Sequence, residues 1–257
     1  MLLDSHCHLN DEKLFAERSR HIAEAVAAGV KLFLVVGWDV ESSKKALQIA
    51  HEYPDVYAAV GLHPENLEGV DEASLNEIET LAQDPKVVAI GEIGLDYHWY
   101  KEEKDRANQK TWFIKQIDLA NKLNLPICIH AREAAQDTFD LLKTHPVKRN
   151  GNLHCYSGST EMMPSFAKLG FYFGFDGPIT YKNSQVPKAS VRACPLDRLL
   201  SETDSPYLTP VPFRGEVNSP KHIVEIVEEM AVLRGISRND IEKQIEQNFR
   251  LLFHVEH

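Results

Sequence analysis

The sequence predicts an α/β fold, a single (β/α)8 TIM-like barrel over residues 1–257, and three observations support this prediction. Eight short apolar or β-branched runs recur along the chain. Longer segments with helical spacing lie between these runs, and most of the runs have a His, Glu or Asp residue at or beside their end. Alternation of this kind fits a barrel of about 250 residues, although an open doubly wound sheet would alternate in the same way.

The predicted strands are short and rich in apolar side chains. They cover residues 2–6, 32–37, 57–63, 87–91, 127–130, 151–155, 171–176 and 199–203. The segments between them are expected to be helices, because their apolar residues recur every three or four positions. Two such apolar faces are formed by Phe113, Ile117 and Ala120 and, near the C-terminus, by Ile223, Ile226, Val227 and Met230.

Composition and charge exclude several classes of protein. The chain is 43% hydrophobic and 26% charged, as is ordinary for a globular protein, and no apolar run is long enough to span a bilayer. Its four cysteines form no CxxC pair and no signal peptide is recognisable, so we expect a cytoplasmic protein with free thiols. The formal net charge of -10 argues against a face that grips long nucleic acid, and recognition of a nucleic acid would have to be local.

The ends of the predicted strands carry residues that bind metals. His6 and His8 are two residues apart on the first strand, so they point the same way while Cys7 points to the opposite face. Cys155 is likewise expected to pack on the face opposite to its neighbour His154. In a barrel, the C-terminal ends of all strands meet at one mouth, where the metal site is expected. The predicted ligands there are His6, His8, Glu92, His130, His154 and Asp204.

This ligand set is larger than a single tetrahedral ion requires. Six ligands fit two ions, with Glu92 as the candidate bridge between them. Each histidine taken alone is more often a structural residue than a ligand, and it is their joint placement that favours a metal site. Ligand softness favours metals such as Zn or Mn over Mg, and the sequence leaves Mg, Mn and Zn open.

Several segments carry a family resemblance. They are LDSHCHLN at 3–10, GLHP at 61–64, GEIGLDY at 91–97, PICIHAR at 126–132, HCYSG at 154–158, LSETDSPYL at 200–208 and PVPFRGE at 210–216. In this order they resemble the signature segments of the TatD family of metal-dependent deoxyribonucleases, which belongs to the amidohydrolase-like group. The resemblance implies a TIM-like barrel, two divalent ions and hydrolysis of DNA phosphodiester bonds, often from a 3′ end, by water that the two ions activate.

The resemblance also implies roles for individual residues. The six ligands named above match the metal-binding positions of the family, and His63 and Glu202 match further active-site positions. We expect Asp204 to orient or deprotonate the attacking water, Glu202 to support the water or a metal-bound histidine, and His63 to contact the phosphate or the leaving group.

Other residues are expected to contact the substrate, here a DNA strand end or another phosphodiester. Arg132 and Arg214 are the candidate phosphate clamps, with surface salt bridges as the alternative for each. Four aromatic residues are candidates for stacking on a base, and packing beneath the loops is the alternative for them. These residues are Tyr97, Trp99, Tyr156 and Tyr207.

The sequence leaves two other functions open. The first is hydrolysis of a different bond on the same scaffold, such as a cyclic amide, an ester or an aminoacyl-tRNA bond. The second is a metal-binding scaffold without turnover, against which the complete ligand set and Glu202 argue. The sequence indicates neither a membrane association nor an obligate protein partner.

Overall fold

A computed structural model describes residues 1–255 and contains eight parallel strands with helices between them. Each strand pairs with the next in sequence, from the first to the eighth. The strands are β1 Leu2–Cys7, β2 Val30–Val36, β3 Val56–Val60, β4 Val87–Asp96, β5 Ile127–Arg132, β6 Gly151–Leu153, β7 Tyr172–Phe175 and β8 Leu199–Ser201. This sequential order confirms the predicted barrel, because a doubly wound sheet would reverse its strand order part-way.

Side chains close the barrel between its last strand and its first. The Ser5 hydroxyl donates a hydrogen bond to the Ser201 carbonyl, and the Ser201 hydroxyl donates to the Leu3 carbonyl. Above this pair, the buried Asp4 carboxylate accepts hydrogen bonds from the backbone N–H and the hydroxyl of Thr203. The seam between β8 and β1 therefore holds Asp204, which follows Thr203, beside the histidines of β1.

The helices surround the barrel and cover its outer face. They are α1 Glu12–Phe15, α2 Arg18–Ala27, α3 Val40–Glu52, α4 Glu72–Leu81, α5 Glu103–Leu123, α6 Ala135–Thr144, α7 Met163–Lys168, α8 Gln185–Ala193, α9 Ile223–Arg234 and α10 Arg238–Phe253. Both predicted apolar faces, on α5 and on α9, are buried against the strands. Within residues 1–255, no helix has the length and apolar character needed to cross a bilayer.

Local signals in the sequence fix where several helices begin and end. Asp39 and Asp71 each start a helix through a capping box with the serine three residues later, at α3 and α4. Asn124 and Gly235 end α5 and α9 in the left-handed conformation that favours these residue types. Because α3 and α4 begin at defined residues, the loops that follow β2 and β3 have fixed lengths at the mouth.

The observed strand boundaries differ from the predicted ones where the polar residues begin. Strands β3, β6 and β8 end two or three residues early, so His63, His154 and Asp204 lie in loops directly after them. Strand β4 runs five residues further than predicted, to Asp96. The expectation for Cys155 is wrong, because this residue lies outside β6 with a φ of 40°, where strand alternation no longer applies. Cys155 lines the cavity at the mouth together with His154.

Candidate metal centre

The two histidines of the first strand form one side of the site. His6 lies on β1 and His8 directly after it, and their Nε2 atoms are 3.3 Å apart. The side chains therefore point the same way, as the spacing predicted. Asp204 enters from the loop after β8, and its Oδ1 lies 3.2 Å from His8 Nε2 and 3.8 Å from His6 Nε2.

Glu92 lies at the centre of the site with one carboxylate oxygen on each side. Its Oε2 is 3.4 Å from His6 Nε2 and 3.8 Å from His8 Nε2. Its Oε1 is 2.8 Å from His154 Nε2 and 3.0 Å from His130 Nδ1. The predicted ligands thus form two groups that share Glu92. The first group is His6, His8 and Asp204, and the second group is His130 and His154.

Hydrogen bonds on the far side of two rings set which nitrogen faces Glu92. The Nδ1–H of His8 donates to the Val36 carbonyl over 2.9 Å, which leaves its Nε2 directed into the site. The Nε2–H of His130 donates to Asp96 Oδ2, also over 2.9 Å, which leaves its Nδ1 directed at the second group. Bonds of this kind from a metal-binding histidine to a carboxylate or carbonyl fix the ring and its tautomer.

The donor set fits divalent cations. The ring nitrogens of His6 and His8 face each other at 3.3 Å, as do His130 Nδ1 and His154 Nε2. Two lone pairs at this distance repel each other unless a proton or a cation lies between them. Imidazole nitrogens with carboxylate oxygens are the ligands of Zn²⁺ and similar ions, and here donor atoms from three or more residues converge within 4.8 Å.

The pKa values of the groups in the site are set by burial and by the charged groups in contact with them. Although burial alone raises the pKa of a carboxyl group, the neighbouring histidines hold the pKa of Glu92 well below its ordinary value. Although burial lowers the pKa of an imidazole, Asp204 raises the pKa of His8 to about 9, and Asp96 with Glu92 raises that of His130 to about 9. For His6, burial together with His154 lowers the pKa to about 4. The carboxylates of Glu92 and Asp204 therefore need positive charge beside them, which bound cations would supply.

His63 lies beside the second group, with its Nε2 at 3.3 Å from Glu92 Oε1. Its Nδ1 accepts a hydrogen bond from the Glu65 backbone N–H over 3.1 Å, so the ring proton is on Nε2. Burial lowers the pKa of His63 despite the nearby Glu92 charge, so the ring is neutral at pH 7. His63 thus presents an N–H donor to the cavity above Glu92.

Glu202 lies behind His154 and is fully buried. Its Oε1 accepts the backbone N–H of Cys155 and lies 3.7 Å from His154 Nδ1. Within the described part of the chain, Glu202 Oε2 and the Nδ1 atoms of His6 and His154 have no hydrogen-bond partner. The structure thus places Glu202 next to His154 and outside the lining of the cavity.

A cavity of about 750 Å³ opens above the two ligand groups, and only some of the predicted substrate-binding residues line it. Arg132 lines this cavity. Arg214 instead stacks on the Tyr181 ring, with 3.9 Å between its guanidinium carbon and the ring centroid. Tyr156 is buried against Phe173, and its hydroxyl donates to the Ser159 carbonyl. Neither Arg214 nor Tyr156 is among the described residues that line the cavity.

Of the aromatic residues proposed to stack on a base, only some line the cavity, and one aromatic residue that lines it is not predicted from the sequence. Trp99 and Tyr207 line the cavity, whereas Tyr97 is buried and its hydroxyl donates to Asp137. Trp38 lines the cavity as well, from the loop directly after β2. The rule that polar strand ends mark the mouth misses Trp38 because tryptophan is neither acidic nor basic. Asp96 was missed as a partner of His130 because the predicted β4 stopped at residue 91.

Comparison with known proteins agrees with this geometry. A family model described as TatD related DNase matches residues 3–254. The chain belongs to the TatD family. It is 41% identical over 256 residues to YabD of Bacillus subtilis, named an uncharacterized metal-dependent hydrolase, covering 99% of this chain and 100% of that protein. It is 37% identical to YcfH of Escherichia coli K12, which has the same description, over 99% of this chain and 96% of YcfH.

Solved structures support the family assignment. The crystal structure of YjjV, a TatD homologue from Escherichia coli K12, matches with a TM-score of 0.94 at 30% identity, covering 99% of this chain and 98% of YjjV. A TatD family hydrolase from Entamoeba histolytica shares the fold, with a TM-score of 0.87 at 22% identity over 98% and 97% of the two chains. The chain is therefore a metal-dependent hydrolase of the TatD family with a (β/α)8 barrel.

Proposed function

We propose that this hydrolase is a deoxyribonuclease that cleaves phosphodiester bonds at the 3′ end of a DNA strand. The observation that carries this proposal is Glu92, whose two oxygens face two separate groups of ligands. Paired cations joined by one carboxylate are typical of enzymes that hydrolyse phosphate esters. The family description, TatD related DNase, supports the same reaction.

The residues that would hold the two cations follow from the two groups. His6, His8 and Asp204 would hold one ion with Glu92 Oε2, and His130 with His154 would hold the other with Glu92 Oε1. When bound, such ions lower the pKa of water and withdraw electron density from a phosphoryl oxygen. The imidazole donors favour Zn²⁺ or Mn²⁺ over Mg²⁺.

The remaining polar groups act on the water and on the phosphate. Asp204 lies at the edge of the cavity, where its carboxylate can orient the attacking water and accept its proton. His63 is neutral and can donate its Nε2–H to a phosphate oxygen or to the departing oxygen. Arg132 can pair with a phosphate from the rim, since guanidinium groups bind phosphate oxygens in pairs.

The shape of the site supports cleavage at a strand end. Glu92 lines the cavity from a buried position, and its side chain is only 5% exposed. A continuous strand that crosses the mouth would have to bend sharply to bring an internal phosphate to this depth, whereas a strand end can enter directly. Local recognition of an end also accommodates the net charge of -10, because it needs no long basic face.

The first prediction concerns cleavage of single-stranded DNA with a free or a blocked 3′ end. Protein loaded with Mn²⁺, Zn²⁺ or Mg²⁺ is expected to shorten the free strand stepwise and to leave the blocked strand intact. His130→Ala removes a ligand of the second group and is expected to reduce the rate at least about 100-fold. Metal content is measured on each sample, and gel electrophoresis follows the products.

His51→Ala is the matched control, because His51 is an exposed histidine paired with Asp84 far from the site. This variant is expected to cleave like the wild type. The proposal fails if the wild type loaded with each of these metals leaves every strand intact. It also fails if His130→Ala cleaves as fast as the wild type, since the activity would then come from a contaminant.

A further inference from the structure

Aromatic side chains lie on both sides of the metal centre at the cavity mouth. On the first side, the Trp38 ring lies 5.3 Å and the Tyr207 ring 6.4 Å from the His8 ring, between centroids. We call Trp38 and Tyr207 the His8 flank. Both residues line the cavity, and Tyr207 remains 46% exposed. A flat ring that entered beside His8 would therefore meet aromatic surface.

Trp99 and Arg132 form the opposite side, here called the His130 flank. The Trp99 backbone N–H donates to Asp96 Oδ1 over 3.1 Å, and Asp96 Oδ2 accepts the ring N–H of His130. The guanidinium of Arg132 lies 5.7 Å from the centroid of the Trp99 ring. Trp99 is thus tied to the second ligand group through a single carboxylate, while its side chain is 64% exposed.

Exposed rings at fixed positions are costly unless a ligand covers them. A tryptophan side chain offers about 150–250 Å² of surface for burial, and leaving most of it in water forgoes much of that stabilisation. A hydrogen bond from the Tyr207 hydroxyl to Asp11 holds the Tyr207 ring. The Trp99 main chain is held by its N–H on Asp96, and the His98 ring packs edge-on against the Trp99 ring at 4.6 Å between centroids. Both flanks are therefore prearranged to bind planar groups.

We propose that each flank binds one unpaired nucleobase, so that the enzyme reads a dinucleotide step with its scissile phosphate above Glu92. This inference rests on the proposed phosphodiesterase function. A phosphodiester bridges two nucleosides, and one placed over Glu92 would direct one nucleoside toward His8 and the other toward His130. A base stacks on an aromatic ring through its π-face. Because every base has such a face, this kind of stacking accepts any base.

The same arrangement selects single strands. Bases in a duplex are already stacked and paired, and they would have to leave the helix to reach either flank. A cavity of about 750 Å³ is within the range of small-ligand sites and accepts the end of one strand at a time. The inference is thus that the two flanks hold the bases of the last two nucleotides of the strand, one base each.

The second prediction is tested with DNA strands that lack single bases. Four strands are compared. Their last two nucleotides carry both bases, only the first, only the second, or neither, and each nucleotide without a base is a tetrahydrofuran spacer. Trp99→Ala and Tyr207→Ala are each expected to lower kcat/KM on the complete strand by about 5- to 150-fold, mainly through KM. On a strand that lacks the base bound by the substituted flank, the variant is expected to have the same kcat/KM as the wild type. The base concerned is expected to be one of the last two for Trp99→Ala and the other for Tyr207→Ala.

Conservative variants and a control complete the experiment. Trp99→Phe and Tyr207→Phe keep a ring and are expected to restore most of the loss. Val232→Ala changes an exposed side chain on α9 and is expected to behave like the wild type. Metal content is measured on every variant, so that a loss of cations is not mistaken for a loss of stacking.

The possible failures can be told apart. Should the wild type cleave none of the four strands, the proposed nuclease function is wrong. If the wild type cleaves, but kcat/KM of the alanine variants falls by the same factor on strands with and without bases, the flanks do not bind bases. That result would overturn the inference. It is equally overturned if both variants respond to the same missing base.

Discussion

Glu92 is surrounded by five imidazole rings, and this environment explains how a buried carboxylate stays charged. Moving an isolated carboxylate out of water costs several kcal/mol. Each oxygen of Glu92 has nitrogens nearby, at distances from 2.8 to 3.8 Å. These nitrogens, from His6, His8, His63, His130 and His154, hold its pKa well below the ordinary value against the effect of burial. A single residue thereby joins two halves of the site.

Asp96 orients one of these rings, which gives the third prediction. In Asp96→Asn the amide can donate a hydrogen bond to His130, so the ring can place its proton on Nδ1 instead of directing a lone pair there. Loss of such a supporting bond typically weakens metal binding about 10- to 100-fold. We expect this decrease at the second ligand group, measured by competition with a chelator of known affinity.

Asp84→Asn is the matched control, because Asp84 also contacts a histidine, His51, on the exposed surface. Metal binding by this variant is expected to equal that of the wild type. If Asp96→Asn binds metal as tightly as Asp84→Asn does, then Asp96 has no part in orienting His130.

At the scale of elements, the pairing of β4 with β5 sets the spacing of the second ligand group. Gly94 is opposite His130 in the register of these strands. It has a φ of 142°, and a Cβ at this position would lie 2.0 Å from the His130 carbonyl oxygen. The absence of a side chain at Gly94 therefore lets β4 approach β5 closely enough for Glu92 to reach His130.

The fourth prediction is that Gly94→Ala separates these strands. The clash adds to the strain of a left-handed backbone, which alone costs about 1–2 kcal/mol. We expect a decrease in the free energy of unfolding at least twice that of Gly69→Ala, as measured by urea denaturation. Gly69 is the control because it also has a positive φ, of 73°, yet no atom of the described chain lies within 4 Å of the Cβ position. Equal losses in both variants would show that the close approach at Gly94 has no structural role.

The elements also show how far strand periodicity can be used. The alternation rule predicted that His6 and His8 point the same way, and their Nε2 atoms lie 3.3 Å apart even though the pairing of β1 with β2 shifts register between Asp4 and Cys7. It failed at Cys155, because β6 ends at Leu153 and the chain then turns with a positive φ. A sequence shows the period of a strand more clearly than its last residue, and active-site residues lie at those ends.

At the scale of the whole molecule, the barrel and the location of the site could be predicted, whereas many side-chain contacts could not. Alternating apolar runs with polar ends suffice for the barrel, since its topology brings all strand ends to one mouth. Contacts between distant loops follow from packing instead. Arg214 on Tyr181, Tyr156 on Phe173 and Trp38 beside His8 are examples, and none of them leaves a periodic signal in the sequence.

The barrel brings two ligand groups together around Glu92, and we propose that each group holds one cation. Anomalous X-ray diffraction from crystals soaked in Mn²⁺ tests it directly. Two peaks are expected, one beside Glu92 Oε2 among His6, His8 and Asp204, and one beside Oε1 between His130 and His154. A single peak, or two peaks on the same side of Glu92, would contradict it.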